Sequence, residues 1–265
     1  MINLIHGELF KLKKSKLFWS LLLLITAAAI ALAVLSNMVA EGKFGMDITA
    51  SASGVGEVMI ISLLGSLMAG IVVCGDFETS TIHDEIAVSG GRHSIVISKF
   101  FVFTLVIAAL MVPYIIVTLI AFSSGKEFAD PFIVSVFSGI MAKNASVTVT
   151  AGSIGKILAI SLAEILVYAS KLSICIPVGF KTRKTIAVVS IGFASSFFLD
   201  LIFGLLSKND LLEKIIKITP FSKKYLLLTM DTGAGDIVMA MVTSLIFMAV
   251  MVLITWKLFN KAEVK

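Results

Sequence analysis

The sequence predicts an all-α, polytopic membrane protein with six transmembrane helices. Three numbers lead to this fold class: 58% of the 265 residues are hydrophobic, only 15% are charged, and the mean hydropathy is +1.05. Soluble proteins have about 45–50% apolar and about 25% charged residues. Because so high a mean hydropathy requires apolar runs over most of the chain, one anchor on a soluble body is excluded and several bilayer spans are expected.

Six apolar runs are long enough to cross a hydrocarbon core of about 30 Å at a helical rise of about 1.5 Å per residue. They cover residues 17–38, 58–74, 100–122, 157–180, 186–206 and 237–259. An even number of spans places both termini on one side. Thirteen of the 22 Lys and Arg residues fall on that side, which the positive-inside rule makes the cytosol. The first run exceeds the 7–15 apolar residues of a cleavable signal peptide, so we expect it to be retained.

The first 16 residues predict an amphipathic helix in the plane of the membrane interface. Its apolar residues recur at spacings of three and four: Ile2, Ile5, Leu9 and Leu12. Its charged residues are Glu8, Lys11, Lys13, Lys14 and Lys16. Lysines on such a helix face anionic headgroups. A charged flank that is helical without lying in the interface is the alternative.

A polar segment, residues 75–99, separates the second and third spans and faces the cytosol in this topology. Acidic residues surround apolar ones within it: Asp76, Glu78, Asp84 and Glu85 around Phe77, Ile82 and Ile86. This pattern predicts a short helix that begins after Thr79 or Ser80 and stops at Gly90 and Gly91. Such a helix suits the docking of a soluble partner. A solvated connection fits the same composition.

The segment between the last two spans, residues 207–236, is expected on the outer side. Its apolar residues Leu211, Leu212, Ile215 and Ile216 predict an amphipathic surface helix that Pro220 ends. The stretch that contains Phe221 and Tyr225 could then dip back as a re-entrant piece. No structure is predicted for the other long outer loop, residues 123–156.

Three stretches resemble the permease subunits of type 2 ATP-binding-cassette (ABC) exporters. They are MINLIHGELFKLKKSKLFW before the first span, CGDFETSTIHDEIAVSGGRHSIVISK before the third, and TPFSKKYLL before the last. The layout of six spans with both ends inside is similar over the whole chain. Within the family, the chain is most similar to small bacterial permeases that export antimicrobial or amphipathic peptides or confer immunity to them.

The resemblance implies a multi-pass protein of the bacterial plasma membrane that pairs with a second permease copy, as a homodimer or a closely related heterodimer. A separate ABC ATPase subunit would bind ATP and Mg, and this chain would hold no cofactor. The resemblance also implies which residues dock the ATPase through a coupling helix, with residues 8–16 beside them: Phe77, Glu78, Ile82, His83, Asp84, Glu85 and Ile86. The substrate would be an amphipathic or apolar peptide.

Motifs for chemistry within the chain are missing from the sequence. The nearest approach to a phosphate-binding loop, at Gly155 and Lys156, has Thr150 in place of the first glycine and Ile157 in place of Ser or Thr. Zinc-hydrolase and serine-hydrolase signatures are absent. The basic residues form no stripe that would suit nucleic acid. We therefore expect a transport subunit, not an enzyme, although a membrane-embedded enzyme remains an alternative.

Polar residues inside the spans suggest two roles. Ser62, Ser66 and Gly70 recur every four residues, a spacing that lets helices pack closely in a membrane. Glu164 lies in the fourth span with Tyr168 one turn on. A carboxylate there costs about 2.5–3.5 kcal/mol, so it is expected on a translocation path or in a buried hydrogen bond. It would also serve as the proton site of a secondary transporter driven by an ion gradient, the main alternative function.

Overall fold

The structure, a computed structural model, describes residues 2–43, 56–88, 91–128, 137, 140, 150–206, 219–226 and 228–261. These residues form helices joined by short connections and contain no strand, as the sequence predicts. The helices are α1 (Ile2–Lys14), α2 (Lys16–Ala40), α3 (Glu57–Glu78), α4 (Ile82–Val88), α5 (Arg92–Ser124), α6 (Ala151–Leu172), α7 (Cys175–Thr182), α8 (Thr185–Leu206), α9 (Lys223–Leu226) and α10 (Ala234–Lys261).

Five stretches of the described chain are long and apolar enough to cross a membrane: α2, α3, α5, α6 continued by α7, and α10. On length and composition the chain is therefore a multi-pass membrane protein. The fifth predicted span, residues 186–206, coincides with α8, which has 22 residues. Its uninterrupted stretch of described side chains ends at Ser196 and is too short to span. The count of six spans and the cytosolic termini thus stay predictions.

Two of the observed helices, α5 and α6, have bounds that differ from those of the predicted spans. Helix α5 begins at Arg92, so the predicted cytosolic loop loses its last residues to a helix of 33 residues. The fourth span is interrupted at Ser173 and Ile174, where α6 ends and α7 begins. Pro177 lies four residues beyond Ser173, and a proline ring both clashes with the carbonyl of residue i−4 and lacks the amide that would bond it. The kink expected from proline therefore falls at Ser173.

Helix α3 packs through its small residues against α7 and α8. The Ser66 hydroxyl donates to the Ser62 carbonyl at 2.5 Å, and both side chains are buried. A β-carbon placed on Gly192 of α8 would lie 2.7 Å from Ser66 Oγ, and one on Gly70 would lie 2.9 Å from Thr185 Cγ2. Close backbone approach at small residues is the way helices pack where lipid supplies no hydrophobic drive.

The periphery of the bundle is formed by α2 and α10. Only 22% of the most apolar stretch of each helix is buried, against 61% for α3. The exposed residues of both helices include large apolar side chains such as Leu23, Leu24, Leu245 and Ile246. These two helices thus present apolar faces outward, as lipid-facing helices do.

The chain before α10 returns into the bundle. Phe221 contacts Phe247, in the middle of α10, with 5.9 Å between ring centroids, and the side chains of Tyr225 and Leu228 are buried. This is the place where a re-entrant piece is predicted. The predicted outer amphipathic helix, residues 207–218, and most of the 123–156 loop lie outside the described residues.

Replacement of Gly70 by alanine is expected to destabilise the protein. The new β-carbon would lie 2.9 Å from Thr185 Cγ2 and 3.2 Å from the Thr185 carbonyl oxygen, a backbone atom that cannot rotate away. Overpacking of this kind costs about 1–3 kcal/mol. Gly75 of the same helix is the matched control, because its β-carbon meets nothing within 4 Å. Gly75→Ala should stabilise by roughly 0.5–1 kcal/mol through helix propensity. Unfolding in mixed detergent micelles measures both, and equal effects would contradict the packing assignment.

Candidate functional site

Five charged residues from four helices meet at one end of the bundle. Glu8 and Lys11 lie one turn apart on α1, Asp76 lies in the last turn of α3, Glu85 on α4, and Lys99 in the second turn of α5. We call these five residues the charge cluster. Ser15 allows α1 to reach it: the chain bends between α1 and α2, and the Ser15 hydroxyl accepts a bond from Phe18 N as the cap of α2.

The Lys11 ammonium group donates to all three carboxylates of the charge cluster. It lies 2.8 Å from Glu8 Oε1, 2.7 Å from Asp76 Oδ1 and 2.9 Å from Glu85 Oε1. Burial lowers the pKa of Lys11, but the hydrogen bonds to Asp76, Glu8 and Glu85 outweigh it, so the pKa rises above its ordinary 10.5. Lys11 therefore stays charged over the physiological range.

The Lys99 ammonium group contacts the second oxygen of each carboxylate. It hydrogen-bonds Asp76 Oδ2 and lies 3.0 Å from Glu8 Oε2 and 3.8 Å from Glu85 Oε2. Its side chain is 1% exposed, whereas that of Lys11 is 52% exposed. A buried charge is tolerated only when it is paired and hydrogen-bonded. The three carboxylates thus hold Lys99 in place, and Lys99 in turn fixes α1, α3 and α4 against α5.

The charge cluster has three carboxylates and two ammonium groups, so one carboxylate lacks a full counter-charge. Burial raises the pKa of Glu85 above its ordinary 4.5, the ammonium groups of Lys99 and Lys11 lower it, and Glu8 and Asp76 raise it again. The net direction is upward. Glu85, which lies nearest the edge of the cluster, is therefore the carboxylate that most readily accepts a proton.

A second cluster, the aromatic cluster, lies beside the first and joins α3 to two further helices, α7 and α10. Phe77 of α3, Phe180 of α7 and Phe259 of α10 pack edge to face, with ring centroids 4.9–6.3 Å apart. Arg92, at the start of α5, lies over the Phe259 ring and donates to the Phe259 carbonyl at 2.8 Å. Arg183 lies over the Phe77 ring. Both guanidinium groups thus hold aromatic rings by cation–π attraction.

The predicted docking residues divide into an inner and an outer set. Ile82 is 3% exposed, Phe77 lies in the aromatic cluster, and Glu85 lies in the charge cluster. Ile86 is half-buried against the core. Glu78 is exposed, and its carboxylate accepts from Thr185 N at 2.8 Å, which ties α3 to the start of α8. The outer set is His83 and Asp84, both exposed, with Ala87 exposed one turn on.

The residues predicted for the interfacial helix divide in the same way. Glu8 is buried and Lys11 bonds the carboxylates, so both face the protein instead of lipid headgroups. Lys13, Lys14 and Lys16 are exposed. On the apolar side Leu12 is buried, whereas Ile2 and Phe10 are exposed. Helix α1 therefore packs on the bundle through one face and leaves apolar and basic residues outward.

Glu164 and Tyr168 lie inside the bundle, far from the two clusters. Glu164 is 1% exposed, and neither carboxylate oxygen has a hydrogen-bond partner. Tyr168 is equally buried. Glu57, at the start of α3, is 0% exposed, accepts from Phe137 N at 3.0 Å and interacts electrostatically with Glu164. The predicted hydrogen bond of Glu164 to a neighbouring span is therefore absent among the described residues.

Sequence reasoning missed the roles of Lys99, Asp76, Arg92 and Glu57. Lys99 lies at the edge of an apolar run, and a lysine in that position is a signal that a counter-charge is needed. The spacing of three residues between Glu8 and Lys11 is a signal for one of the ion pairs that the sequence analysis did not use. Pairs more than 60 residues apart, such as Lys11 with Asp76, leave no mark in a single sequence.

Replacement of Lys99 by methionine is expected to destabilise the fold by about 3–5 kcal/mol, because it leaves Asp76 and Glu8 buried without their ammonium partner. Lys13→Met is the matched control, since its side chain is exposed on α1 and should change the free energy of unfolding by less than about 0.5 kcal/mol. Unfolding in mixed micelles compares the two. Equal stability of the two variants would show that the charge cluster does not hold α5.

Replacement of Glu85 by glutamine should leave stability at pH 7 within about 1 kcal/mol of wild type, because it removes the carboxylate without a full counter-charge. A group whose pKa is raised by folding stabilises the fold fully below its unfolded pKa, near 4.5, and that contribution is lost as the pH rises through its folded pKa. The stability of wild type relative to Glu85→Gln should therefore be greatest at acidic pH. A difference that grows with pH would refute the assignment.

Comparison with known proteins adds no relative: the chain matches no protein-family model and no curated protein.

Proposed function

We propose that this chain is the membrane-spanning permease subunit of an ATP-driven exporter, energised by a separate ATPase that docks on the outer edge of α4. The observation that carries the proposal is the set of contacts made by residues 76–88, 91 and 92. The sequence contains no phosphate-binding motif, so the proposal assigns the energy source to a partner.

Residues 76–88, 91 and 92 contact five helices at this end of the bundle: α1, α5, α7, α8 and α10. Through the charge cluster they contact α1 and α5, through Phe77 they contact α7 and α10, and through Glu78 they contact α8. Arg92 adds a further contact to α10, because it donates a hydrogen bond to the Phe259 carbonyl in the last turn of that helix. A force applied to α4 is therefore transmitted to all of these helices by ion pairs and ring contacts.

This arrangement suits a coupling element better than it suits a solvated connection. A loop that served only to join α3 to α5 would need neither a buried lysine nor two arginines stacked on rings. Rigid helices move as bodies, and packed interfaces switch between discrete arrangements. A nucleotide can drive such a switch only if it binds the two arrangements with different affinity, which is what a docked ATPase pair supplies.

The docking surface is the outer edge of α4: His83, Asp84 and Ala87. The inner set, Phe77, Ile82 and Glu85, holds α4 on the bundle and supports the surface without forming it. This division narrows the prediction made from the resemblance, in which all seven residues lay in the ATPase groove. An acidic, exposed helix edge suits a basic groove on the partner.

The remaining parts of the proposal rest on the resemblance. The exporter would contain two copies of this permease in a bacterial plasma membrane, and its substrate would be an amphipathic or antimicrobial peptide. The apolar outward faces of α2 and α10 are compatible with lipid contact in such an assembly. The second candidate function is a transporter driven by an ion gradient, which the unpaired, buried Glu164 favours.

The test is co-purification of the chain with the ATPase encoded beside it, after expression of both and solubilisation in mild detergent. Asp84→Arg reverses one charge on the docking surface and should reduce the recovered ATPase at least tenfold, since like charge across an interface costs several kcal/mol. Glu127→Arg is the matched control, because Glu127 is exposed at the opposite end of α5 and should leave recovery unchanged.

Two outcomes would contradict the proposal. The first is ATPase binding and peptide transport by Asp84→Arg at the wild-type level. The second concerns sidedness: an impermeant maleimide that labels Ala87→Cys in intact cells would place α4 outside. Cys74 and Cys175 are buried and give a low background for this labelling.

A further inference from the structure

We propose that Glu164 is a proton-binding carboxyl group inside the helix bundle, and that it is neutral when the helices are packed as they are in this structure. The inference stands on burial, on the absence of hydrogen-bond partners and on the identity of the neighbouring groups. It does not depend on which energy source drives transport.

Glu164 is enclosed inside the bundle and is 1% exposed. It lies in the middle of α6, and the residues that flank it on the same helix, Ile160, Ala163 and Val167, are wholly buried. Both of its oxygens are without a hydrogen-bond partner, and so is the hydroxyl of Ser161, one turn before it. Burial of an ionised carboxylate in such surroundings is so costly that the group takes up a proton instead.

The carboxylate of Glu57 also favours a protonated Glu164. Glu57 is wholly buried and interacts electrostatically with Glu164. Glu57 also has an anchor that Glu164 lacks, because Phe137 N donates to its Oε1 at 3.0 Å. A hydrogen bond from an amide favours the ionised form of the acceptor, and two carboxylates that interact cannot both be ionised cheaply. Of the two, Glu164 is therefore the one that carries the proton.

The ionisable groups on the surrounding helices supply no counter-charge in the part of the chain that the structure describes. Besides Glu57 on α3, the buried candidates are Tyr114 on α5 and Tyr225 on α9, and a phenol supplies no positive charge. Helix α10 offers Asp236, which pairs with Lys224 at 2.9 Å. The Asp200 side chain of α8 lies outside the described side chains.

The nearest cation along α6 is Lys171, two turns beyond Glu164. Its ammonium group lies 5.6 Å from the centroid of the Phe221 ring, on the re-entrant stretch, and is therefore engaged elsewhere. Seven residues of helix correspond to about 10 Å along the axis. A charge at that distance does not replace the hydrogen bonds that an ionised Glu164 would need.

A proton fits this site better than a metal ion or an amine does. Metal ions need several ligand oxygens, and among the described residues the only group of three acidic, His or Cys side chains within mutual reach is Glu8, Asp76 and Glu85, at the other site. An amine would need space beside the carboxylate, whereas Glu164 is 1% exposed. Because exchange with water requires the helices around Glu164 to separate, proton occupancy is linked to helix packing.

Infrared spectroscopy of the purified protein in lipid tests the proposal directly. Wild type at pH 7 should show the carbonyl stretching band of a protonated carboxyl group, and the difference spectrum against Glu164→Gln should assign that band to Glu164. Glu127→Gln is the matched control, because Glu127 is exposed to solvent and its replacement should leave the band unchanged. If Glu164→Gln does not fold, the pH titration of the band in wild type replaces the difference spectrum.

The pH dependence of stability provides a second readout. If the folded protein holds Glu164 neutral, the unfolding equilibrium constant of wild type should rise by up to about tenfold per pH unit above pH 4.3, relative to Glu164→Gln. Glutamine cannot ionise, so it lacks this dependence. A carboxylate band at pH 7 in place of the carbonyl band would overturn the proposal, as would parallel pH profiles. Both measurements omit the ATPase, so their failure would leave the proposed function untouched.

Discussion

The buried ammonium group of Lys99 is the interaction on which one end of the molecule depends. A lysine in the second turn of a membrane-spanning helix is tolerated only because three carboxylates from α1, α3 and α4 surround it. The carboxylates need the ammonium group in turn, because they are themselves largely buried. Four helices are thereby positioned by one charge, and α4 becomes a rigid extension of the bundle instead of a solvated loop.

Two buried acidic sites in the described part of the chain obey the same rule with opposite outcomes. At the charge cluster, two ammonium groups satisfy three carboxylates and the group stays ionic at a helix end, where Lys11 still reaches water. At Glu164 the carboxyl group finds neither a cation nor a hydrogen-bond donor among the described residues. The ion pairs of the charge cluster make this end of the structure rigid. At Glu164 the carboxyl group is left unsatisfied, and the free-energy cost of burying it changes when the helices around it move.

The candidate site could be predicted only in part from the sequence. The pattern of acidic and apolar residues in 76–88 correctly indicated a short helix, because helix periodicity and capping are local properties. It did not show which side of that helix faces the bundle. The resemblance implies that Ile82 and Glu85 contact a partner; in the structure Ile82 is buried and Glu85 lies in the charge cluster, whereas His83 and Asp84 are exposed. The orientation depends on residues far apart in the chain.

The sequence by itself determined that this is a helical, multi-pass membrane protein and where most of its apolar helices lie, because hydropathy and span length act residue by residue. Only the tertiary structure decided that Lys99 meets Asp76 and Glu8, and that Glu164 meets no hydrogen-bond partner among the described residues. Ion pairing and desolvation are set by distances between helices, and those distances depend on how all the helices pack.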